Sequence, residues 1–137
     1  MQRFAVAAWL RFTRVFHKIE HRLTQHLRAY DLSLAHFDVL AQLQGNEGIT
    51  QQELADRLLV TKGNICQILD RMTERDLLSR QQEGRTNRVF LTERGRQLVQ
   101  VIIPEHEAVM AEQFAALTPA ERQHLLHALH VLDRSLR

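Results

Sequence analysis

The side chains best suited to chemistry in this chain lie between residues 61 and 71. Apolar Ile65 and Leu69 recur at helical spacing there, so the polar residues share the opposite face of a predicted helix. Asn and Gln pair a donor with an acceptor, as an adenine edge does, and Lys and Arg suit guanine or phosphate. The pattern predicts a helix that can contact a nucleic-acid groove through Thr61, Lys62, Gly63, Asn64, Cys66, Gln67 and Arg71.

Two further arginines follow in the polar turn Glu83-Gly84-Arg85-Thr86-Asn87-Arg88. Around this turn, from Leu78 to Thr92, the apolar period changes from 3.6 to 2, which predicts a hairpin of two short strands. Arg85 and Arg88 are therefore candidates for nucleic-acid contacts. Two exposed arginines on an ordinary loop would have the same pattern, and that alternative stays open.

The elements that position these residues are mostly helices, since only five Gly and two Pro interrupt the 137 residues. Apolar residues at every third or fourth position predict a long first helix over 4–27. Ser33 and Thr61 are predicted helix caps, and Thr50 and Thr118 begin capping boxes that end at Glu53 and Glu121. About three residues separate the two helices that meet at Thr61, the spacing of a helix-turn-helix.

A later helix is predicted to run from residue 93 toward 117 despite a kink at Pro104. The resulting order is one long helix, three shorter helices, a hairpin and two helices. This order predicts a mainly α fold with a small two-stranded β-wing, a winged helix-turn-helix between terminal helices. We expect one domain over 1–137, with the winged-helix lobe at 33–92.

Charge limits the expected nucleic-acid contact to part of the chain. The net charge is only +2, but residues 1–30 hold six Lys/Arg against one Glu, and residues 61–96 hold eight Lys/Arg against five acids. A composition of 45% hydrophobic and 25% charged residues argues against a disordered chain. The single cysteine excludes an intrachain disulfide and fits a reducing cytoplasm, and no apolar run is long enough to cross a membrane.

Residues 58–72, the segment Leu77-Leu78-Ser79-Arg80 and residues 88–95 resemble the MarR family of bacterial transcriptional regulators. The resemblance implies a homodimeric repressor that binds a palindromic operator in double-stranded DNA. Dimerisation would use helices within 1–30 and 93–137, whose apolar stripes exceed what a small lobe can cover. Arg85 would enter the minor groove, and Arg88 would hold the hairpin or a phosphate.

The chain departs from the family pattern at two places. Glu83 and Thr86 stand where the family wing has Asp, which puts the usual salt bridge of the wing in question. Asp76 replaces the Gly that usually ends the recognition helix, and Asp adopts the left-handed conformation at some cost.

The resemblance also implies a small aromatic effector, bound between the dimer helices and the DNA-binding lobe. Its binding would change the spacing of the two recognition helices. The candidate lining is aromatic, and the same residues could instead form an ordinary packed core. They are Trp9, Phe12, Phe16, His36 and Phe37.

Other functions remain as alternatives to a DNA-binding regulator. A winged helix with an altered wing could be a protein-interaction module without specific DNA binding. A metal or redox sensor could use Cys66 or a group of histidines: His17 with His21, His124 with His127 and His130, or His36 with Glu105 and His106. We favour exposed or interface histidines and a small, unreactive Cys66, and so expect no metal and no cofactor. No enzyme motif is present, so catalysis is not expected.

Overall fold

The computed structural model describes residues 1–136, which form six helices and a small antiparallel sheet. The predicted class, mainly α with a wing, agrees with this architecture. The elements in chain order are α1 (Gln2–Arg28), α2 (Leu34–Leu43), β1 (Ile49–Thr50), α3 (Gln51–Leu58), α4 (Lys62–Glu74), β2 (Leu78–Glu83), β3 (Thr86–Leu91), α5 (Glu93–Gln113) and α6 (Pro119–Ser135).

The sheet has three strands, in the order β1-β3-β2, where the sequence predicted two. The added strand is short: Ile49 pairs with Val89 and Thr50 with Arg88. Gly48 precedes it at φ +90° and donates its N–H to the Val89 carbonyl at 2.8 Å. The prediction missed β1 because two residues cannot show a period-2 pattern.

Hydroxyl caps begin five of the helices. The side chains of Ser33, Thr50, Thr61, Thr92 and Thr118 each accept a hydrogen bond from a backbone N–H of the first helical turn. The capping box at Thr118 and Glu121 is complete, as predicted. At Thr50, within residues 1–136, the structure contains only the bond from the Glu53 N–H to the hydroxyl, without the return bond.

The hydrophobic core lies where α2, α3, α4, α5 and the sheet meet. Each fully buried Leu or Ile there stabilises the fold by about 1.5–3 kcal/mol. α5 packs so closely on the segment before β2 that a Cβ on Gly95 would lie 2.2 Å from the Leu77 carbonyl oxygen. The largest fully buried side chains include Leu27, Leu40, Leu43, Leu54, Ile65, Leu69, Met72 and Ile102.

The ends of the chain contribute little to this core. α6 has no buried residue, and the first half of α1 is exposed. Pro104 stands inside α5 without ending it, and α5 ends at Gln113, before the expected limit at residue 117. Across residues 1–136, no helix combines the length and apolar character that crossing a membrane requires.

Candidate nucleic-acid interface

The outer face of α4 carries the side chains that the sequence singled out. The Thr61 hydroxyl accepts from the Asn64 N–H at 3.2 Å and fixes where the helix begins. Three apolar side chains then fix its rotation, because Ile65, Leu69 and Met72 are fully buried. The opposite face is therefore exposed, and it presents Lys62, Asn64, Gln67 and Arg71. Within residues 1–136, these four side chains form no ion pair.

Gly63 leaves the first turn of α4 open. A Cβ built on this residue would meet no atom within 4 Å, and its backbone is exposed. No packing contact therefore demands glycine here. An anion could approach the free amides of this turn, as at other helix N-termini.

Cys66 differs from the other predicted contact residues between 61 and 71 because it is only half-exposed. Its sulfur lies 2.7 Å from Nε2 of Gln51, the first residue of α3. The thiol is therefore directed toward α3 and away from the outer face of α4. The Gln51 Oε1 atom is buried and has no hydrogen-bond partner among residues 1–136.

The wing turn separates the roles of its two arginines. Arg85 follows Gly84, which has φ +61°, and is exposed at the tip of the hairpin. Arg88 is held against the sheet: its Nε donates to Glu83 Oε2 at 2.5 Å and its Nη1 to the Gly48 carbonyl at 2.8 Å. Glu83 thus supplies a wing salt bridge that the sequence left in question. Of the two roles considered for Arg88, the structure contains the one that holds the hairpin.

A second ion pair, which sequence reasoning missed, fastens the wing to α4. Nη2 of Arg80 on β2 lies 2.5 Å from Oδ1 of Asp70. Both residues stand in segments that resemble the family, but neither was given a role, since only the folded hairpin brings β2 beside α4. The pair fixes the hairpin relative to the exposed face of the helix.

A cleft of about 200 Å³ lies between the wing turn and the N-termini of α3 and α4. Lys62 and Arg85 line it from separate elements, together with Gln51, Gln52 and Asn87. Asp56 is the acidic residue in its lining. Two cations and several amides in one concave surface suit a nucleic-acid backbone.

The predicted effector residues fall into two groups within one chain. Trp9 and Phe12 stack on α1 with ring centroids 6.4 Å apart, and Phe16 is exposed on the same helix. Phe37 is buried on α2, with its ring centroid 3.9 Å from that of His106. Within the described chain, no aromatic pair joins the α1 group to α2.

Among residues 1–136, His106 is the one buried polar residue, with 1% exposure. Its Nδ1 lies 3.2 Å from Nδ1 of His26, whose Nε2 lies 3.4 Å from Glu105 Oε2. The Tyr30 hydroxyl also donates to Glu105. Burial, and then the charge of His26, lower the pKa of His106. The hydrogen bond from Tyr30 is the main cause that lowers the pKa of Glu105.

His36 does not join this cluster as a hydrogen-bond partner. Its Nδ1 accepts from the Ser33 N–H at 3.3 Å and completes the cap of α2. Burial, and then the charges of Arg75 and Arg71, lower its pKa. Among residues 1–136, no three His, Cys, Asp or Glu side chains are grouped so that they could hold a metal ion.

Comparisons with known proteins agree with this geometry. The family model described as MarR family matches residues 30–88. An HTH-type transcriptional regulator of Bacillus cereus is 32% identical over 121 residues, which cover 88% of this chain and 82% of the relative.

Two solved structures at 25% identity are also similar. AbsC, a MarR family transcriptional regulator from Streptomyces coelicolor, matches with a TM-score of 0.88 over 96% of this chain and 93% of its own. BpsR of Bordetella bronchiseptica, whose DNA binding is regulated by 6-hydroxynicotinic acid, matches with a TM-score of 0.81 over 93% of each chain. Sequence and fold therefore agree, and this chain belongs to the MarR family of transcriptional regulators.

Proposed function

We propose that this chain is a homodimeric repressor that binds a palindromic operator in double-stranded DNA and blocks a promoter. The observation that carries the proposal is the exposed polar face of α4 beside an exposed arginine at the wing tip. Buried apolar contacts and three hydrogen-bonded wing connections hold those side chains outward. Such a surface suits a duplex.

α4 has the dimensions and chemistry for a major groove. A helix about 10–12 Å across fits a groove about 12 Å wide, and residues 62 and 71 lie about 13 Å apart along the helix axis. Asn64 and Gln67 lie between Lys62 and Arg71 on this face. We assign base contacts to the two amides and phosphate or guanine contacts to the two cations. Thr61 and Gly63 complete the proposed contact region, and Cys66 lies beside it with its thiol directed toward Gln51.

The wing suits the neighbouring minor groove. Arg85 is exposed at the hairpin tip, whereas Arg88 is occupied by Glu83 and Gly48. A narrow A·T-rich minor groove has a strongly negative potential that attracts an inserted arginine. Arg85 is therefore the proposed groove contact, and Arg88 the residue that supports it.

The terminal helices support the homodimer. α6 and its C-cap expose leucines at 125, 126, 129, 132 and 136, and residues 4–16 of α1 expose Phe4, Trp9, Leu10, Phe12 and Phe16. Stripes of this size are association surfaces in folded proteins. Two copies related by a two-fold axis would place their recognition helices about 34–36 Å apart, which requires a palindromic site.

We further propose regulation by a small aromatic effector. The support is the exposure of Trp9, Phe12 and Phe16 on α1, the aromatic Phe37 beside His36 on α2, and the regulation of BpsR by 6-hydroxynicotinic acid. Such an effector must bind a dimer with one separation of the recognition helices more tightly than a dimer with the other. Its effect would appear as weaker operator binding in its presence.

The test measures binding to the DNA upstream of the chain's own gene by fluorescence anisotropy. We expect tight binding that depends on the palindrome and is weakened by Arg85→Ala. Arg94→Ala is the matched control, since Arg94 is an exposed arginine on α5 outside the proposed interface. Equal affinity for scrambled DNA, or no binding, would overturn the proposal and favour a protein-interaction module. Transcription in vitro from the bound promoter then tests repression.

A further inference from the structure

Arg75 joins the end of α4 to the end of α1. It is the residue that caps the C-terminus of α4, and it is half-buried. Its Nη1 donates to the Asp31 carbonyl at 2.5 Å and its Nη2 to the Tyr30 carbonyl at 3.1 Å. The planar guanidinium therefore bridges two successive carbonyls that lie 44 and 45 residues away in sequence.

The corner that receives Arg75 is well defined. The N–H groups of Asp31 and Leu32 donate to the Arg28 and Leu27 carbonyls, and Asp31 holds the left-handed conformation at φ 54°. Leu32 is buried in the core. The Tyr30 and Asp31 carbonyls lie just beyond the C-terminus of α1, where the helix dipole favours a cation. Arg75 supplies both the donors and the charge.

Tyr30 extends the connection to α5. Its carbonyl accepts from Arg75, and its hydroxyl donates to Glu105 on α5. The corner is thus fixed to both α1 and α5, the two long helices that leave the DNA-binding lobe. Arg75 is the point where the recognition helix is bonded to that frame.

The α4 side of the connection is equally constrained. The Arg75 N–H donates to the Arg71 carbonyl at 3.2 Å, and the Leu77 N–H donates to the Met72 carbonyl at 3.0 Å. Asp76, between them, is left-handed at φ 59°. These bonds fix the backbone at Arg75, so its side chain links the corner to a well-defined end of α4.

We propose that Arg75 is a positioning residue for DNA recognition, which sets the angle between α4 and α1 and so the separation of the two recognition helices in the dimer. The inference rests on the proposed function, because the separation has meaning only in a DNA-binding dimer. Arg75 acts through the Tyr30 and Asp31 carbonyls without touching DNA. This distinguishes it from Arg71, one turn earlier, whose side chain is on the exposed face.

Arg75→Lys is the informative substitution because it keeps the positive charge but loses the planar fork. Three duplexes are compared: the operator with both half-sites, the same operator with one base pair inserted between them, and a single half-site. We expect Arg75→Lys to reduce the affinity for the native operator about tenfold or more and the affinity for the half-site less than about twofold. The variant should also shift its preference toward the operator with altered spacing. Arg94→Lys is the matched control.

The salt dependence of binding is measured with Arg75→Gln, because a lysine at this position could keep a phosphate contact. A direct contact would change this readout. The slope of log K against log salt is negative, and each lost phosphate contact reduces its magnitude by about 0.9. A positioning role leaves the slope unchanged. An equal loss of affinity for all three duplexes, together with a salt slope of smaller magnitude, would show a direct phosphate contact and overturn the proposal. Unchanged binding to all three would overturn it too.

A distance measurement in the free dimer separates this inference from DNA binding itself. Spin labels are attached through Glu74→Cys, an exposed position on α4, in a Cys66→Ser background. We expect Arg75→Lys to shift or broaden the label-to-label distance, and an unchanged distribution contradicts the proposal even if DNA binds well. A shifted distance without DNA binding by the wild type would instead contradict the proposed function, and with it the role in DNA recognition, while Arg75 would still set the separation of the two α4 helices. Arg75→Gln is the second variant, and if neither folds cooperatively on heating, the bridge is a folding requirement and the proposal is overturned.

Discussion

The Nδ1 atoms of His26 on α1 and His106 on α5 face each other at 3.2 Å. When one of the two Nδ1 atoms carries a proton, it donates a hydrogen bond to the other. When both carry protons, two N–H groups face each other and repel. The ring of His106 is enclosed further by Phe37, whose centroid lies 3.9 Å away. The contact between the long helices therefore depends on a buried imidazole that does not readily accept a second proton.

The first prediction concerns pH. Burial and the neighbouring His26 lower the pKa of His106 in the folded state, so the unfolded chain binds more protons below about pH 6.5. The stabilisation is complete above that pH and is lost as pH falls toward the folded pKa. Urea unfolding between about pH 5.5 and 8 should show this loss, and His106→Gln should make it shallower, leaving the share of His36, whose pKa is also lowered. His124→Gln, on exposed α6, is the control, and parallel profiles for wild type and His106→Gln would contradict the prediction.

The second prediction compares two glycines. Gly95→Ala should destabilise the fold by about 1–3 kcal/mol or more, since its Cβ would meet the backbone carbonyl of Leu77 at 2.2 Å. Gly63→Ala should leave stability unchanged or raise it by up to about 1 kcal/mol, because open space surrounds that position. Urea unfolding measures both. If the amides of the first turn of α4 approach a phosphate, Gly63→Ala should still weaken DNA binding.

The third prediction concerns the wing. Glu83→Gln removes one charged partner of Arg88 from an exposed pair, so the loss of stability should be below about 1 kcal/mol. Arg88→Ala should reduce the stability of the fold more, because it also removes the hydrogen bond to the Gly48 carbonyl. Thermal unfolding ranks the two variants. The reverse order would mean that the connection to β1 contributes little.

The fourth prediction concerns the dimer. Leu126 on α6 is 70% exposed, and burying it against a second copy would make Leu126→Glu strongly unfavourable for association. Sedimentation at micromolar concentration should show a dimer for the wild type and monomer for this variant. Gln123→Glu, which adds the same charge on exposed α6, should remain dimeric. A monomeric wild type would contradict the homodimer.

The sequence predicted those parts of the fold that local chemistry determines. The cap at Thr61 and the buried Ile65 and Leu69 define α4 within a few residues, so the outward direction of Asn64 and Gln67 could be read directly. β1 could not be predicted, because two residues form a strand only through their partner on β3.

Parts of the site could not be predicted for the same reason, because they depend on contacts between residues far apart in the sequence. Cys66 lies on α4 at a position that periodicity leaves open, and only the approach of Gln51 shows that it turns inward. His106 looked like a candidate ligand beside His36, but the fold places it against His26 and Phe37. Arg75 carried no signal, since its partners are backbone carbonyls.

The pairing of Thr50 with Arg88 has a mechanical consequence for the proposed interface. Thr50 caps α3, so a force that bends the hairpin is passed to the start of the helix-turn-helix. A duplex whose minor groove is too wide or too narrow would then strain both the wing and the helix-turn-helix. In the proposed complex, groove shape, which varies with base sequence, would thereby be a feature that the chain discriminates at base pairs it never touches.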